Sequence, residues 1–429
     1  MKITLKVIAI LIFSLSILGC GNRPGTTGPV RVENGRFIRN DRPYTYIGTN
    51  FWYGPILASD GEGGDHDRLV RELDTLKALG IENLRVLVGG DGPDGVFSRI
   101  GPTLQKAPGV YNDTLLTGLD RFLAELGKRE MQAVLYLNNS WEWSGGYGVY
   151  LEWAGAGKAL LPLESGYGPF MQQMAQFNTN EKAQELFLDH LKFIVSRTNT
   201  VTGRPYSEDP AIFSWQIGNE PRCFSDDPAA REGFVGWLTE AARLIREIDP
   251  NHLISTGNEG FWGCEYDAAL LEAVAAIPEV DYMTIHIWPY NWSWVRAESL
   301  AEDLEDACAK TDDYIRMHRE LASKYHLPLV CEEFGFPRDG FLPDRTAATE
   351  GRDAYYRHVF EKVGNELDGA NFWGWSGFAK PVHTQWEPGD DYTGDPAQEA
   401  QGLNGVYVGD STVELIRQSI ANLNDKTAK

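Results

Sequence analysis

Phe213-Ser-Trp-Gln-Ile-Gly-Asn-Glu-Pro-Arg222 is the stretch from which the fold is read. Residues 212–217 are apolar and aromatic enough to form a buried strand, which stops at Gly218 and leaves Asn219-Glu220-Pro221 at its mouth. Pro221 cannot continue a ladder and biases Glu220 toward extended backbone, so this carboxylate is expected where a strand opens into a loop. A second such place follows where Leu327-Pro-Leu-Val-Cys331 runs into Glu332-Glu333-Phe334-Gly335. Either acid alone reads as a solvated strand end. Two carboxylates at the ends of two buried strands invite a specific chemistry.

Working outward, apolar runs and helical periodicity alternate. Strands are expected over 44–48, 83–88, 132–137, 212–217, 253–256, 280–285, 329–331 and 369–373. Helices are expected over 66–79, 115–128, 181–198, 234–248, 268–276, 301–325 and 351–367, the first stopped by Gly80. A long connection over 138–179 carries Trp141, Trp143, Tyr147, Tyr150 and Trp153, a composition wrong for disorder. Ahead of the first strand, Asn34-Gly35 signals a short β-hairpin lid within 31–43. The pattern predicts the α/β class: a (β/α)8 TIM barrel with long βα loops and a short N-terminal β-hairpin. A doubly wound sheet is the runner-up, but Thr49-Asn50-Phe51-Trp52 is not the Gly-rich phosphate turn it requires. Asn50, Arg85, Asn138, Asn219, Glu220, His286, Glu333 and Trp373 all fall at or near strand C-terminal ends, the face where barrels build active sites.

A formal charge of −22 argues against nucleic acid and against a polybasic membrane contact. Thirteen Trp and 18 Tyr, several of them in Gly-rich loops, suit sugar rings, whose C–H faces are apolar; core packing accounts for the rest. There is no Gly-x-Ser-x-Gly elbow, no His-Glu-x-x-His and no Walker loop. Asp390, Asp391 and Asp395 read as a solvated acidic loop rather than a calcium site, so neither metal nor cofactor is expected.

The N-terminus reads as an address. A basic start, an apolar run over 7–18 and Leu18-Gly19-Cys20 make residues 1–19 a signal peptide. Residues 20–30 follow as a flexible tether, and 31–429 as one catalytic domain. Export makes Cys223, Cys264, Cys308 and Cys331 disulfide candidates with three connectivities open. Cys223 and Cys264 are placed to meet across neighbouring loops, whereas Cys331 also reads as a small apolar strand residue.

Two carboxylates across a barrel mouth with aromatic walls describe a glycosidase. Trp215-Gln-Ile-Gly-Asn-Glu-Pro-Arg-Cys223 and Cys331-Glu-Glu-Phe-Gly335 resemble the acid/base and nucleophile motifs of glycoside hydrolase family 5 in clan A. The finer resemblance is to its endo-β-1,4-mannanases. It is carried by Gly48-Thr-Asn-Phe-Trp52, Leu137-Asn-Asn-Ser-Trp-Glu-Trp-Ser-Gly-Gly146, Gly257-Asn-Glu-Gly-Phe261 and Thr284-Ile-His-Ile-Trp-Pro289. The tail motifs at 372–373, 390–395 and 402–404 add to it, so that the match covers about 31–420. Gly19-Cys20 similarly resembles a bacterial lipoprotein processing site, which implies lipid attachment at Cys20 and a cell-envelope location, at the outer membrane or cell surface.

The family resemblance implies a retaining double displacement, with Glu333 as nucleophile and Glu220 as general acid, then base. Glu332 would face away, as alternation along a strand predicts. Arg85 would keep Glu333 ionised, Asn219 would bind the sugar 2-hydroxyl, His286 would order the site and Trp373 would floor the subsite beside the scissile bond. Arg222 and Glu259 resemble residues on the leaving-group side; Asn138, Trp52, Trp141 and Trp143 extend the substrate-binding set. Trp288, also counted there, departs from the family: many members carry a tyrosine at this place, its hydroxyl touching the nucleophile. Either that hydrogen bond is absent here or another group such as His286 supplies it. The expected partner is a β-mannan chain (mannan, glucomannan or galactomannan) and the expected state a monomer. Another clan A β-glycosidase, such as a β-glucanase or exo-β-mannosidase, is the alternative. A catalytically silent glycan-binding lipoprotein stands behind both.

Overall fold

The computed structural model describes residues 29–427. The expected signal peptide, Cys20 and the tether before residue 29 lie outside the described residues. Eight strands form the barrel: β1 (Tyr46–Asn50), β2 (Asn83–Leu87), β3 (Gln132–Tyr136), β4 (Ile212–Gln216), β5 (Leu253–Ser255), β6 (Met283–Ile287), β7 (Leu329–Phe334) and β8 (Gly369–Phe372). Every residue in them is buried, the state a parallel sheet covered by helices demands. They pair in parallel in the order β5-β4-β3-β2-β1-β8-β7-β6. The remaining β5–β6 seam is stitched around Asp281, whose N–H donates to Ile254 O at 2.9 Å and whose carboxylate accepts the Ile254 N–H at 2.8 Å.

The covering helices are α1 (His66–Leu79), α2 (Asp113–Lys128), α3 (Glu181–Val195), α4 (Pro228–Ile248), α5 (Ala268–Ala275), α6 (Leu304–Lys324), α7 (Glu350–Lys362) and α8 (Ser411–Thr427). Side-chain caps start five of them: Asp65, Asn112, Asn180, Asp227 and Asp267 each accept first-turn backbone N–H groups. Gly80 ends α1 at φ +89°, a conformation glycine adopts without a Cβ penalty. The alternation expected from the sequence is therefore present, with α8 in addition.

Residues Arg31–Glu33 and Arg36–Arg39 pair antiparallel across an Asn34-Gly35 turn with both φ positive, and Arg42–Pro43 adds a third short strand. Phe37 is fully buried against Tyr46, Val134, Phe213, Tyr282 and Val330, residues in the N-terminal halves of the barrel strands or just ahead of them. The hairpin thus plugs the end of the barrel opposite the strand C-termini.

Five expectations change. β6 runs two residues further than expected and contains His286. β7 continues through both glutamates to Phe334. Its register against β6 slips there: Ile285 faces Cys331 and His286 faces Glu333, which leaves Glu332 as an extra, unpaired residue. Glu332 consequently does not face away; its carboxylate accepts from Gln216 on β4. Glu220 is not extended but left-handed at φ +49°, pinned by its N–H to Gly257 O at 3.0 Å and by Ser140 Oγ–H to its carbonyl. Finally, Cys223, Cys264, Cys308 and Cys331 are all free thiols; burial pushes the Cys223 and Cys308 thiols up to about 11.

Candidate active site

The strand C-termini open into a cleft of about 460 Å³. Glu220 and Glu333 stand in its floor, each with a side chain only a few per cent to a tenth exposed. His286 on β6 joins them: its Nδ1 lies 2.8 Å from Glu220 Oε1 and 3.4 Å from Glu333 Oε2. The facing oxygens therefore lie within roughly 6 Å, the close spacing of a retaining pair rather than the wider one that admits a water between. Burial, and then the Arg85 charge, hold the His286 imidazole well below its usual range. It is neutral, and its bridging nitrogen is assigned as an N–H donor to both acids.

Arg85 rises from inside β2 into the barrel centre, with no solvent exposure. Its Nη1 donates to Glu333 Oε1 and, at 3.1 Å, to Asn50 Oδ1; Nη2 donates to Asn219 Oδ1 at 2.9 Å and Nε to Gln216 Oε1 at 2.8 Å. Its guanidinium also covers the Tyr136 ring at 4.5 Å. Trp288 Nε1–H donates to Glu333 Oε2 at 3.2 Å. The nucleophile contact that a tyrosine makes in the family thus comes from an indole.

Glu220 receives the Trp141 indole N–H on Oε2. Burial raises both Glu220 and Glu333; Arg85 and Trp288 pull Glu333 down, while Trp141 and the neighbouring Glu259 pull Glu220 down. Two acids this close share one proton below their upper titration. That proton belongs on Glu220, because the guanidinium contacts Glu333. Glu259 adds a third buried acid, 3.3 Å from Arg222 Nη1 and pushed up to about 8 by burial and then by Glu220. Glu220, Glu259 and His286 offer ligand atoms within 4.8 Å of one another and are the set among the described residues able to hold a cation. His286 and Trp141 already engage Glu220 from two sides.

Of the residues anticipated from sequence, Asn219, Glu220, Arg222, Glu259, Trp288, Glu333, Trp373, Trp141 and Trp143 line the cleft. Arg85 and His286 lie directly beneath it. Two do not reach it. Trp52 is 2% exposed, donates Nε1–H to Gly394 O at 3.2 Å and packs edge-on against Tyr53, Trp143 and Tyr392. Asn138 is buried in the turn after β3, its Oδ1 capping the Asn139 N–H at 2.7 Å.

The structure adds residues that sequence reasoning passed over. Trp262 and Trp292 stack at 4.6 Å and 10° and form one wall with Tyr290. Tyr167 and the segment Pro396, Gln398 and Glu399, from the connection after β8, form others. The Trp288-Pro-Tyr-Asn-Trp run was a visible signal for the first wall. Nothing at 396–399 marks the last. Glu399 is pushed up to about 8 by burial and then by the charge of Asp395.

Comparison with known proteins agrees with this geometry. The model of the family described as GH family 5 β-mannosidase-like matches residues 28–428. A putative mannan endo-1,4-β-mannosidase of rice (Oryza sativa subsp. japonica) is 28% identical over 390 residues, covering 86% of this chain and 87% of its own. The crystal structure of a glycoside hydrolase family 5 mannosidase from Rhizomucor miehei superposes with a TM-score of 0.86 at 31% identity, covering 94% of this chain and 99% of that one. A variant of the Rhizomucor enzyme, solved in complex with mannosyl-fructose, gives 0.85 at 32% identity over 93% and 98% of the two chains. A fully buried (β/α)8 barrel, two facing glutamates on β7 and beyond β4, and a family match over all of the described residues lead to one assignment: the chain belongs to the β-mannosidase-like group of glycoside hydrolase family 5.

Proposed function

We propose that this protein is a retaining endo-β-1,4-mannanase that hydrolyses internal β-1,4-mannosidic bonds of mannan, glucomannan or galactomannan. The observation that carries the chemistry is the His286 bridge, which brings Glu220 and Glu333 into the spacing of a covalent double displacement. Glu333, ionised by Arg85 and Trp288, attacks the anomeric carbon. Glu220 delivers its proton to the departing oxygen; once Glu333 becomes a neutral ester, its repulsion vanishes and Glu220 deprotonates the incoming water. Trp373, set edge-on to Trp288 at 5.8 Å, offers an apolar face to the sugar beside the scissile bond. Mannan as substrate is supported by an Arabidopsis thaliana relative, 28% identical over 396 residues and named a mannan endo-1,4-β-mannosidase.

A second reading, an exo-β-mannosidase, is favoured by one observation. Pro396, Gln398 and Glu399, from the connection after β8, line the same cleft as Trp373, and a wall beside the reacting sugar suits an enzyme that takes a chain end. Product analysis on linear mannan and on a β-glucan decides. Short manno-oligosaccharides from mannan alone fit the endo reading, mannose alone fits the exo reading, and glucan cleavage moves the specificity elsewhere in the clan. Glycan binding without any hydrolysis overturns the enzyme.

We further infer that residues 31–429 act as one monomeric catalytic unit, exported and held at the cell envelope through lipid on Cys20, which lies outside the described residues. The Leu18-Gly19-Cys20 junction supports this. Mass spectrometry of the N-terminus isolated from membranes tests it: an unmodified Cys20, or a chain cut elsewhere, removes the anchor.

A further inference from the structure

Glu332 is a buried acid beside the reaction that, like Glu259, a two-carboxylate mechanism leaves unused. The register slip on β7 turns it, with Glu333, into the barrel interior. There it stands under the nucleophile with no exposure. Its Oε2 accepts from Gln216 Nε2, the same amide whose Oε1 takes the Arg85 Nε–H at 2.8 Å. Its backbone carbonyl accepts from Asn50 Nδ2 at 2.8 Å, and Asn50 Oδ1 receives Arg85 Nη1. Two of the side chains that orient the guanidinium are therefore themselves fixed by Glu332.

The charges around it do not balance if every acid is ionised. Among the described residues Arg85 is the only cation contacting the pair: its Nη1 contacts Glu333 directly, while its Nε stays 3.6 Å from Glu332. The titratable groups facing Glu332 are Arg85 from β2, Tyr46 from β1, Tyr282 ahead of β6, and Cys331 and Glu333 on its own strand; β4 presents the neutral Gln216 and Ser214. Tyr282 Oη lies 3.1 Å from Glu332 Oε1 and 2.8 Å from Ser214 Oγ. A protonated Glu332 can thus donate to Tyr282 while the tyrosine donates onward to Ser214. Burial acts on Glu332 in the same sense, raising its pKa more than Arg85 lowers it.

We propose that Glu332 is a positioning residue for the nucleophile: a neutral, proton-bearing carboxyl that fixes Gln216, and through it Arg85, and so leaves the guanidinium charge to Glu333. The catalytic part of this rests on the retaining mechanism proposed above; the protonation state does not. Two variants of the intact protein test it, assayed on an aryl β-mannoside, with infrared difference spectra against wild type at pH 7. In Glu332→Gln one protonated-carboxyl carbonyl component of the wild-type spectrum is lost, leaving those of the other buried acids, and the acid limb of kcat/KM stays where it was. Glu332→Leu, which leaves the Gln216 amide held by Ser255 Oγ at 3.0 Å without its carboxyl partner, loses on the order of a hundredfold in kcat with little change in KM, as misplacement of a reacting group does. Its acid limb moves to higher pH because Glu333 is less well held as the carboxylate.

The proposal is overturned if Glu332→Gln removes no protonated-carboxyl band, or if it moves the acid limb to lower pH, since either result means an ionised Glu332. It is also overturned if Glu332→Leu folds and keeps both its kcat and its acid limb. Should the leucine variant fail to fold, the glutamine variant still decides the protonation state. A wild type that hydrolyses no mannoside sinks the enzymatic reading, and the infrared comparison then stands alone.

Discussion

Trp288 donates its indole N–H to Glu333 at 3.2 Å, so a tryptophan does here what a tyrosine hydroxyl does in much of the family. An indole N–H only donates, and its bond is strongest to an ionised acceptor, so this contact favours the carboxylate form of the nucleophile. Trp288→Phe keeps an aromatic ring but removes the donor. Losing a hydrogen bond to a charged group costs about 1.5–3 kcal/mol. The expected outcome in steady-state kinetics is a fall in kcat/KM of roughly tenfold to a hundredfold, with the acid limb moved to higher pH.

The catalytic roles separate by chemical rescue. Glu333→Ala has no nucleophile and is expected to lose essentially all turnover, with azide restoring it as the α-mannosyl azide by one inversion. Glu220→Ala should retain attack on substrates with good leaving groups and yield the β-mannosyl azide. Anomeric configuration read by NMR checks both. The same configuration from both variants contradicts the assignment.

Trp141 lends its N–H to the acid/base rather than to the nucleophile. That bond favours the carboxylate of Glu220, so its removal raises the Glu220 pKa. In Trp141→Phe the alkaline limb of kcat should therefore move to higher pH while the acid limb stays put. Phe in this place still stacks on Phe170, which lies 5.9 Å from the indole at 12°.

Stability should decline as pH rises toward 8. Asp91 is raised to about 7, and Glu259 and Glu399 to about 8, in each case first by burial. An acid whose folded-state pKa is raised keeps its proton where the unfolded chain has lost it, so its contribution is complete below the unfolded pKa. It is lost as pH climbs through the folded one. Thermal unfolding should give a Tm that falls between about pH 5 and 8, and Glu259→Gln together with Glu399→Gln should flatten that slope. An unchanged slope in the double variant rules out these two acids as its source.

At the opposite end of the barrel, Phe37→Ala empties the plug. A buried Phe→Ala costs about 3–5 kcal/mol. Denaturant titration should show that loss, while kcat at 25 °C holds within about twofold, because Phe37 touches the N-terminal halves of the strands and none of the site.

Much of this molecule was legible before its structure. The alternation of apolar runs with capped helices carries the barrel, since a parallel strand buried on both faces has little choice of composition. Glu220 and Glu333 were legible because carboxylates at the mouths of such strands are hard to explain otherwise. What escaped depends on contacts between distant segments. β7 looked too short because two consecutive glutamates do not resemble a buried strand. Their burial is made tolerable by Arg85 from β2 and by Gln216 from β4, far away in sequence. The backbone of Glu220 is held left-handed by Gly257 and Ser140, which no local rule contains. Trp52 and Trp141 looked alike, and only packing tells that one is core and the other touches the acid. By contrast α8, with Leu415, Ile416, Ile420 and Leu423 at helical spacing, was readable and not anticipated.

The plug also sets a direction. Val30 is already tucked beneath the barrel with Phe37 and Phe213, so the chain reaches the domain from the pole opposite the cleft. The junction with the preceding chain therefore sits on the floor of the barrel and leaves the mouth unobstructed. On the lipid attachment proposed above, the anchor would join on the side away from the mouth, and the cleft would stay clear of it for incoming polymer.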